Sequence, residues 1–369
     1  MKYIRLALNL VMLAVSLGLF AQPAWAVSVA EEQWSALETG TLEEAAGAEN
    51  GELSLSLDLD LGEGLKSLWQ KAQNYLGTVL KSTLRTGVLL LLTTLLCGVL
   101  EIGQGALGNK QLDLTTLAGT AAILALAMTD VSSLATLGRE TMEEMESFSK
   151  VLLPTMTTAA VASGSITSAA VRQSATMLFS DVLLTLMNQL LMPLVYLYTV
   201  VCAGYGAVGN PGLQRIGALL KWAVTTALTL VLTAYVTWLS ASSAIAGAAD
   251  ALAAKTTRAA ISGMIPVVGG ILSSASETVV AGAGLVKNAI GIYGLLATLG
   301  ICLLPFLQLG AHYLVYKVTA ALAATLSGGR LAGLIGDIGT AFGLILGMTG
   351  AGALVLLVSM VAGIVAVVG

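Results

Sequence analysis

Glu277 and Lys287 stand ten residues apart in MIPVVGGILSSASETVVAGAGLVKNAIG, residues 264–291, a stretch apolar enough to enter a bilayer. An ionisable side chain at membrane depth costs about 2.5–3.5 kcal/mol on insertion scales, so it turns to protein or water. A helix over 266–286 would hold Glu277 near its middle, with Ser273, Ser274, Ser276 and Thr278 close enough to share hydrogen bonds. Lys287, at the end of that helix, can extend its ammonium to the interface. Asp181 and Asn188 lie seven residues apart in another apolar run, hence on one helix face, with Gln189 beside them. Arg172 and Asp337 flank further apolar runs. Such groups either line a polar or ion path or tie helices together by buried contacts, and both uses stay open.

Catalysis finds little support in the residue types. There is one histidine, His312, and neither an H-E-x-x-H helix nor a phosphate-cradling G-x-x-x-x-G-K-[ST] loop. Gly336-Asp337 lacks the Tyr-Asp partner that an intramembrane aspartyl protease would need. Cys97, Cys202 and Cys302 each sit in an apolar run and imply no disulfide framework. The expectation is a chain that is not an enzyme, with no catalytic residue, no cofactor and no metal site. No basic stripe stands out, so nucleic acid is not an expected partner.

The elements that position these groups are set by composition. Only 10% of the residues are charged and 56% are hydrophobic, with mean hydropathy +0.88. A soluble domain carries about 25% charged residues, so a water-exposed surface cannot be built here. Residues 27–65 hold ten acids and no Lys or Arg, which accounts for the net charge of -4. Residues 1–26 read as a signal peptide, the alternative being an uncleaved first helix: Lys2 and Arg5, an apolar middle, then Ala24-Trp25-Ala26, with cleavage expected after Ala26. Residues 27–64 are then an exported acidic segment. Within it LSLSLDLDL, residues 53–61, alternates with period two, which fits a β-strand needing a partner or an acidic linker.

Residues 65–82 place Leu65, Leu68, Trp69, Ala72, Leu76, Val79 and Leu80 on one helical face, the pattern of an interfacial amphipathic helix. The polytopic membrane domain occupies 83–369. Its apolar runs fall at about 84–100, 114–137, 154–171, 177–205, 217–240, 289–316 and 338–368, with a second amphipathic helix after 137. The fold class is an all-α polytopic membrane protein of about seven transmembrane helices, six to nine depending on how long runs are divided. Pro154 and Pro193 are 39 residues apart, as are Pro266 and Pro305, and the two pairs are offset by 112. This outlines an internal repeat of about 105–216 and 217–328, interrupted by helix breaks at the four prolines. Whether the segments led by Pro154 and Pro266 span or turn back stays open. Gly339, Gly343 and Gly347 recur every fourth residue and are continued by Ala351, a stripe that lets another helix approach closely.

The run I-P-V-V-G-G, then E-T-V, then L-x-K-N-A-I-G (Ile265–Gly270, Glu277–Val279, Leu285 and Lys287–Gly291) resembles the stage III sporulation protein AE family of endospore-forming bacteria. The resemblance covers about residues 75–369. It implies a permease-like membrane subunit of the complex linking mother cell and engulfed forespore, needed for forespore development. It implies other stage III membrane proteins as partners, including a ring-forming subunit and an ATPase, and a place in the mother-cell membrane around the forespore with the N-terminal segment outside the cytoplasm. It brings no catalytic residues. An independent secondary transporter for a small solute or ion, and a structural membrane scaffold, are the alternative readings of the same residues.

Overall fold

The computed structural model describes residues 39–46, 60–105, 114–162, 175–176, 178–180, 182–264, 269–326 and 329–365. Among them every regular element is a helix. In chain order these are α1 (Thr39–Ala45), α2 (Leu61–Gly105), α3 (Leu114–Ala162), a π-helical turn (Leu186–Leu191) running into α4 (Met192–Val208), α5 (Pro211–Met264), α6 (Gly269–Leu326) and α7 (Gly329–Val365). The signal peptide, the strand expected over 53–61 apart from its last two residues, Arg172, Asp181 and Pro266 lie outside the described residues. Leu61 begins α2.

Among the described residues six helical stretches are long and apolar enough to cross a membrane: Leu61–Leu100, Thr115–Ala159, Leu178–Val208, Pro211–Ala241, Asn288–Leu326 and Gly329–Val358. α6 and α7 pack against each other and form the centre, with 61% of their apolar windows buried against 22–33% for the other four. α2 and α3 cover α6, α3 and α4 cover α7, and α5 packs on α4. The outer helices expose large apolar side chains, among them Leu92, Leu96 and Val99 of α2, Val200 of α4, and Leu219 and Leu230 of α5. An exposed apolar surface this continuous is what lipid requires and water forbids.

The tight joint between α4 and α5 follows from three consecutive residues. Gly209 adopts φ 72, ψ 20 in the left-handed region and returns its N–H to the Tyr205 carbonyl at 2.7 Å. Asn210 then accepts the Gly212 N–H on its side-chain oxygen at 2.8 Å, and Pro211 opens α5 where no N–H is needed. A Cβ at Gly209 would also lie 2.9 Å from Arg330 Nη1. Gly209→Ala is therefore expected to lower stability by about 1–2 kcal/mol. Thermal unfolding in detergent checks it, and an unchanged midpoint would mean that the turn tolerates a side chain.

Several sequence boundaries are redrawn. The surface helix expected at 65–82 and the span after it form one helix, α2. Residues 114–137, the acidic amphipathic stretch and the Pro154 segment likewise form α3. Pro154 and Pro305 are not helix breaks but lie inside α3 and α6. A helix-interior proline costs about 3 kcal/mol, a cost that the packing of α3 and α6 against their neighbours offsets. Around Pro154, Thr155, Thr157 and Thr158 donate their hydroxyls to the carbonyls of Val151, Leu153 and Pro154 at 2.8–3.1 Å. Pro193 does mark a change of helix type, falling in the first turn of α4 just after the π-helical turn.

The segment led by Pro266 is also not a span of its own. Residues 269–326 are one helix, and at 1.5 Å per residue its length is about 87 Å, nearly three hydrocarbon thicknesses. Gly294 packs on Leu152 and Met360, close to the described end of α7. Residues 269–288 therefore run past the α6–α7 pair. Glu277 lies on this extension, about 74 Å along the helix from Leu326. The insertion cost that made Glu277 conspicuous does not apply to a residue so far from the span.

Candidate functional site

The buried polar groups of the bundle gather instead on the second half of α6. Gln308, His312 and Tyr316 recur every four residues and so form one face. α2 meets the first two. Tyr75 donates its hydroxyl to Gln308 Oε1 at 2.6 Å, and Thr83 Oγ1 lies 3.4–3.5 Å from the His312 ring nitrogens. His312 Nδ1 sits 2.8 Å from the Gln308 carbonyl. α3 meets the third: the Tyr316 hydroxyl donates to Asp130 Oδ2 at 2.8 Å. Phe342 of α7 sets its ring edge-on to both Tyr316 and His312, with centroids 5.0 and 5.9 Å apart. Tyr316 is fully buried.

Next to Tyr316, Lys317 turns toward α7. Its ammonium donates to the Gly336 carbonyl at 2.7 Å and to Thr340 Oγ1 at 2.6 Å. One residue on from Gly336, Asp337 Oδ1 accepts the Tyr198 hydroxyl of α4 at 3.2 Å. Lys317 and Asp337 are half-buried, and Lys317 is within electrostatic reach of Asp337 and of Lys221 on α5. Each lies eight or nine residues from the nearer helix end at the α6–α7 connection. That is about 12–14 Å along the axis, close to half of a 30 Å hydrocarbon core.

Close helix contact makes this arrangement fit. A Cβ at Gly339 would lie 3.1 Å from Tyr316 Cβ, 3.5 Å from the Lys317 backbone nitrogen and 3.6 Å from the Tyr313 carbonyl oxygen. One at Gly343 would lie 2.9 Å from the Tyr313 ring. Gly347 faces Leu228 of α5 across ordinary contact distance. The glycine stripe thus meets helices of this chain. On the α2 side, a Cβ at Gly87 would come within 2.8 Å of Thr319 Oγ1.

The ladder can hold the helices in register and can pass a proton between neighbouring hydroxyl, imidazole and carboxylate groups. It is not built to hold a metal: among the described residues no three His, Cys, Asp or Glu side chains converge. A cavity of about 370 Å³ lies apart from it, lined by Glu146, Lys150, Leu153 and Ser180. Removing one rung shows what each is worth. Tyr316→Phe takes a donor from Asp130, and a hydrogen bond to a charged group contributes about 1.5–3 kcal/mol. The expected loss is of that size, read from unfolding in detergent, and no loss would mean that Asp130 finds another partner.

The residues singled out by sequence are dispersed. Glu277 and Lys287 lie on the backbone of α6, their side chains outside the described ones. Asn188 sits in the π-helical turn, half-buried, with Oδ1 lacking a hydrogen bond. Asp337 joins the cluster. Lys317, Tyr316, Asp130 and Tyr198 were missed, although the four-residue spacing of Gln308, His312 and Tyr316 in an apolar run was a readable signal.

A family model described as stage III sporulation protein AE matches residues 57–369. The chain is 26% identical over 248 residues to the stage III sporulation protein AE of Bacillus subtilis (strain 168), an alignment covering 65% of this chain and 60% of that protein. The chain thus matches less than two thirds of that relative's length. No solved structure matches it. With the family model running from residue 57 through all six apolar helices of the described residues, this chain belongs to the stage III sporulation protein AE family.

Proposed function

We propose that the chain is the membrane subunit of a channel or secretion-like complex joining mother cell and forespore, working with a ring-forming subunit and an ATPase. The observation that carries this reading is a sporulation-family chain folded as a membrane bundle with six apolar helices among the described residues, its central pair bearing charged groups about 12–14 Å in from the α6–α7 connection. The sequence has no phosphate-binding loop of its own, so energy would come from the ATPase partner. The protein is not an enzyme in this reading.

An exported N-terminal segment would put the start of α2 outside the cytoplasm, and with it the long extensions of α3, α5 and α6 at the same end of the bundle. Those extensions would then face the forespore if the protein sits in the mother-cell membrane, and the α4–α5 and α6–α7 connections would lie on the cytoplasmic side.

Deletion in the native host tests the reading. Forespores are expected to arrest after engulfment and to be restored by the intact gene; normal spores from the deletion would overturn it. Lys317 and Asp337 near mid-depth favour one second reading, an independent secondary transporter. Solute flux through vesicles holding this chain alone would support that reading over the first.

A further inference from the structure

Among the described residues Thr120, Ser180 and Asn188 each have a buried side-chain oxygen without a hydrogen bond, and Ser180 lines a cavity. Ser180 is only 8% exposed. A buried hydroxyl without a partner calls for a water, an ion or a ligand. The cavity, of about 370 Å³, lies between α3 and residues 178–184. Glu146 and Lys150, one turn apart on α3, form an ion pair on its wall, their side chains 28% and 68% exposed. Leu153 and Leu184, both buried, and the exposed Leu178 supply apolar walls. Ser149, also on the wall, already donates its hydroxyl to the Glu146 carbonyl at 2.8 Å. Toward α7 the space closes in a void of about 10 Å³ beside Met145, Gly352 and Leu356, room for about one water. Lys150 and Leu178, the exposed members, mark the mouth.

The height of this cavity can be read from three helices. Gly352 and Leu356 stand about 35–41 Å along α7 from its start at Gly329. A hydrocarbon core of about 30 Å, with roughly 5–8 Å of headgroup layer on each side, places that level among phospholipid headgroups. On α5, Tyr235 donates its hydroxyl to the Val355 carbonyl at 3.0 Å. Three residues further, Trp238 is exposed, as suits an aromatic belt at the interface. On α3, exposed charges begin at Arg139 and Glu140, before the cavity is reached. Nearer the core, Val182 and Leu190 are exposed on the run that leads into α4.

We propose that this cavity holds the headgroup of a zwitterionic phospholipid with a primary ammonium, of the phosphatidylethanolamine class. The ammonium sits on the Glu146 carboxylate and the phosphodiester on the Lys150 ammonium, so each ion of the pair gains a second opposite charge. Ser180 gives its unused hydroxyl to a phosphate or ester oxygen, and the leucines pack on the headgroup methylenes. The volume is at the small end for ligand pockets, suited to a headgroup and not to a whole lipid. The acyl chains therefore stay outside, running toward the core over Val182 and Leu190. An anionic headgroup meets Glu146 as well as Lys150, and a quaternary ammonium has no N–H to give Glu146. The site does not depend on what, if anything, the complex transports.

The test is native mass spectrometry of the full chain in detergent. Phosphatidylethanolamine, phosphatidylcholine, phosphatidylglycerol and soluble glycerophosphoethanolamine are offered in turn. One phosphatidylethanolamine is expected to stay bound, with the other three held about tenfold more weakly, the size of one charged hydrogen bond. Ser180→Ala removes a hydroxyl that bonds nothing in the protein, and should weaken that binding about fivefold. Glu146→Gln should weaken it about tenfold by removing the charge under the ammonium. Both variants are expected to keep the wild-type unfolding midpoint in lipid-free detergent. Equal retention of the three lipids, or full retention by both variants, would overturn the proposal. Equal binding of the soluble headgroup would overturn the assignment to lipid. A midpoint lowered by Ser180→Ala without lipid would also overturn it, because the hydroxyl would then serve the protein itself.

Discussion

Gly339→Ile is expected to lower stability by about 3 kcal/mol and to deplete the protein from the membrane, the upper range for overpacking a close-fitted site. The obstacle is backbone. At 3.1 Å from Tyr316 Cβ, 3.5 Å from the Lys317 backbone nitrogen and 3.6 Å from the Tyr313 carbonyl oxygen, even an alanine Cβ is tight. Isoleucine adds two branches where no side chain can swing aside, so α6 and α7 must move apart. Separation would stretch the Lys317 bonds to Gly336 and Thr340 at 2.7 and 2.6 Å. Gly343→Ala should cost less, because only the Tyr313 ring, at 2.9 Å, has to shift. Gly333→Ala is the control: nothing lies within 4 Å of its added methyl, and the change gains about 1 kcal/mol of helix propensity. The measurement is thermal unfolding in detergent for all three. Equal midpoints for Gly339→Ile and Gly333→Ala would show that the two helices are not held by close approach.

Lys317→Met should have the opposite profile, a large loss of function at nearly normal protein level. Methionine keeps the length of the stem, and the Gly336 carbonyl still receives the Thr340 hydroxyl at 2.9 Å. No buried group is stranded, Lys317 makes no ion pair within 4 Å among the described residues, and relief of the half-buried ammonium's desolvation offsets its two lost hydrogen bonds, so stability should change by no more than about 1 kcal/mol. Function should fall because a cation near mid-depth beside Asp337 disappears. Spore yield is expected to drop by an order of magnitude or more while membrane abundance holds, and Lys317→Arg, which keeps the charge, should recover much of it. Normal yield from Lys317→Met would reduce Lys317 to a packing contact between α6 and α7.

Part of this protein could be read without any tertiary information. A chain with 10% charged residues can be stable only with lipid around it, so the all-helical polytopic fold followed from composition and from the lengths of the apolar runs. The Gly339, Gly343 and Gly347 spacing marked a face for close approach, because a missing side chain is legible wherever it recurs every fourth residue. The six apolar helices among the described residues lie within the range that the runs allowed.

What composition could not give was where one helix stops and the next begins. Charge and amphipathicity suggested ends near 82, 137 and 286, yet α2, α3 and α6 run straight through them. A helix that leaves the bilayer has no reason to end there if packing continues on the other side. The prolines misled for a related reason, since neighbouring helices hold Pro154 and Pro305 in place. The same effect moved attention from Glu277 to Lys317. Glu277 stood out because its local window looked like a span. Only the continuity of α6 carried it beyond the bundle and brought Lys317, Tyr316 and His312 against partners on α7, α3 and α2, up to 229 residues away in the chain. Sequence determined what kind of solvent this protein needs, because that depends on residue types summed over short windows. Tertiary structure decided which polar groups meet, because that depends on the heights and facing of helices that no local window contains.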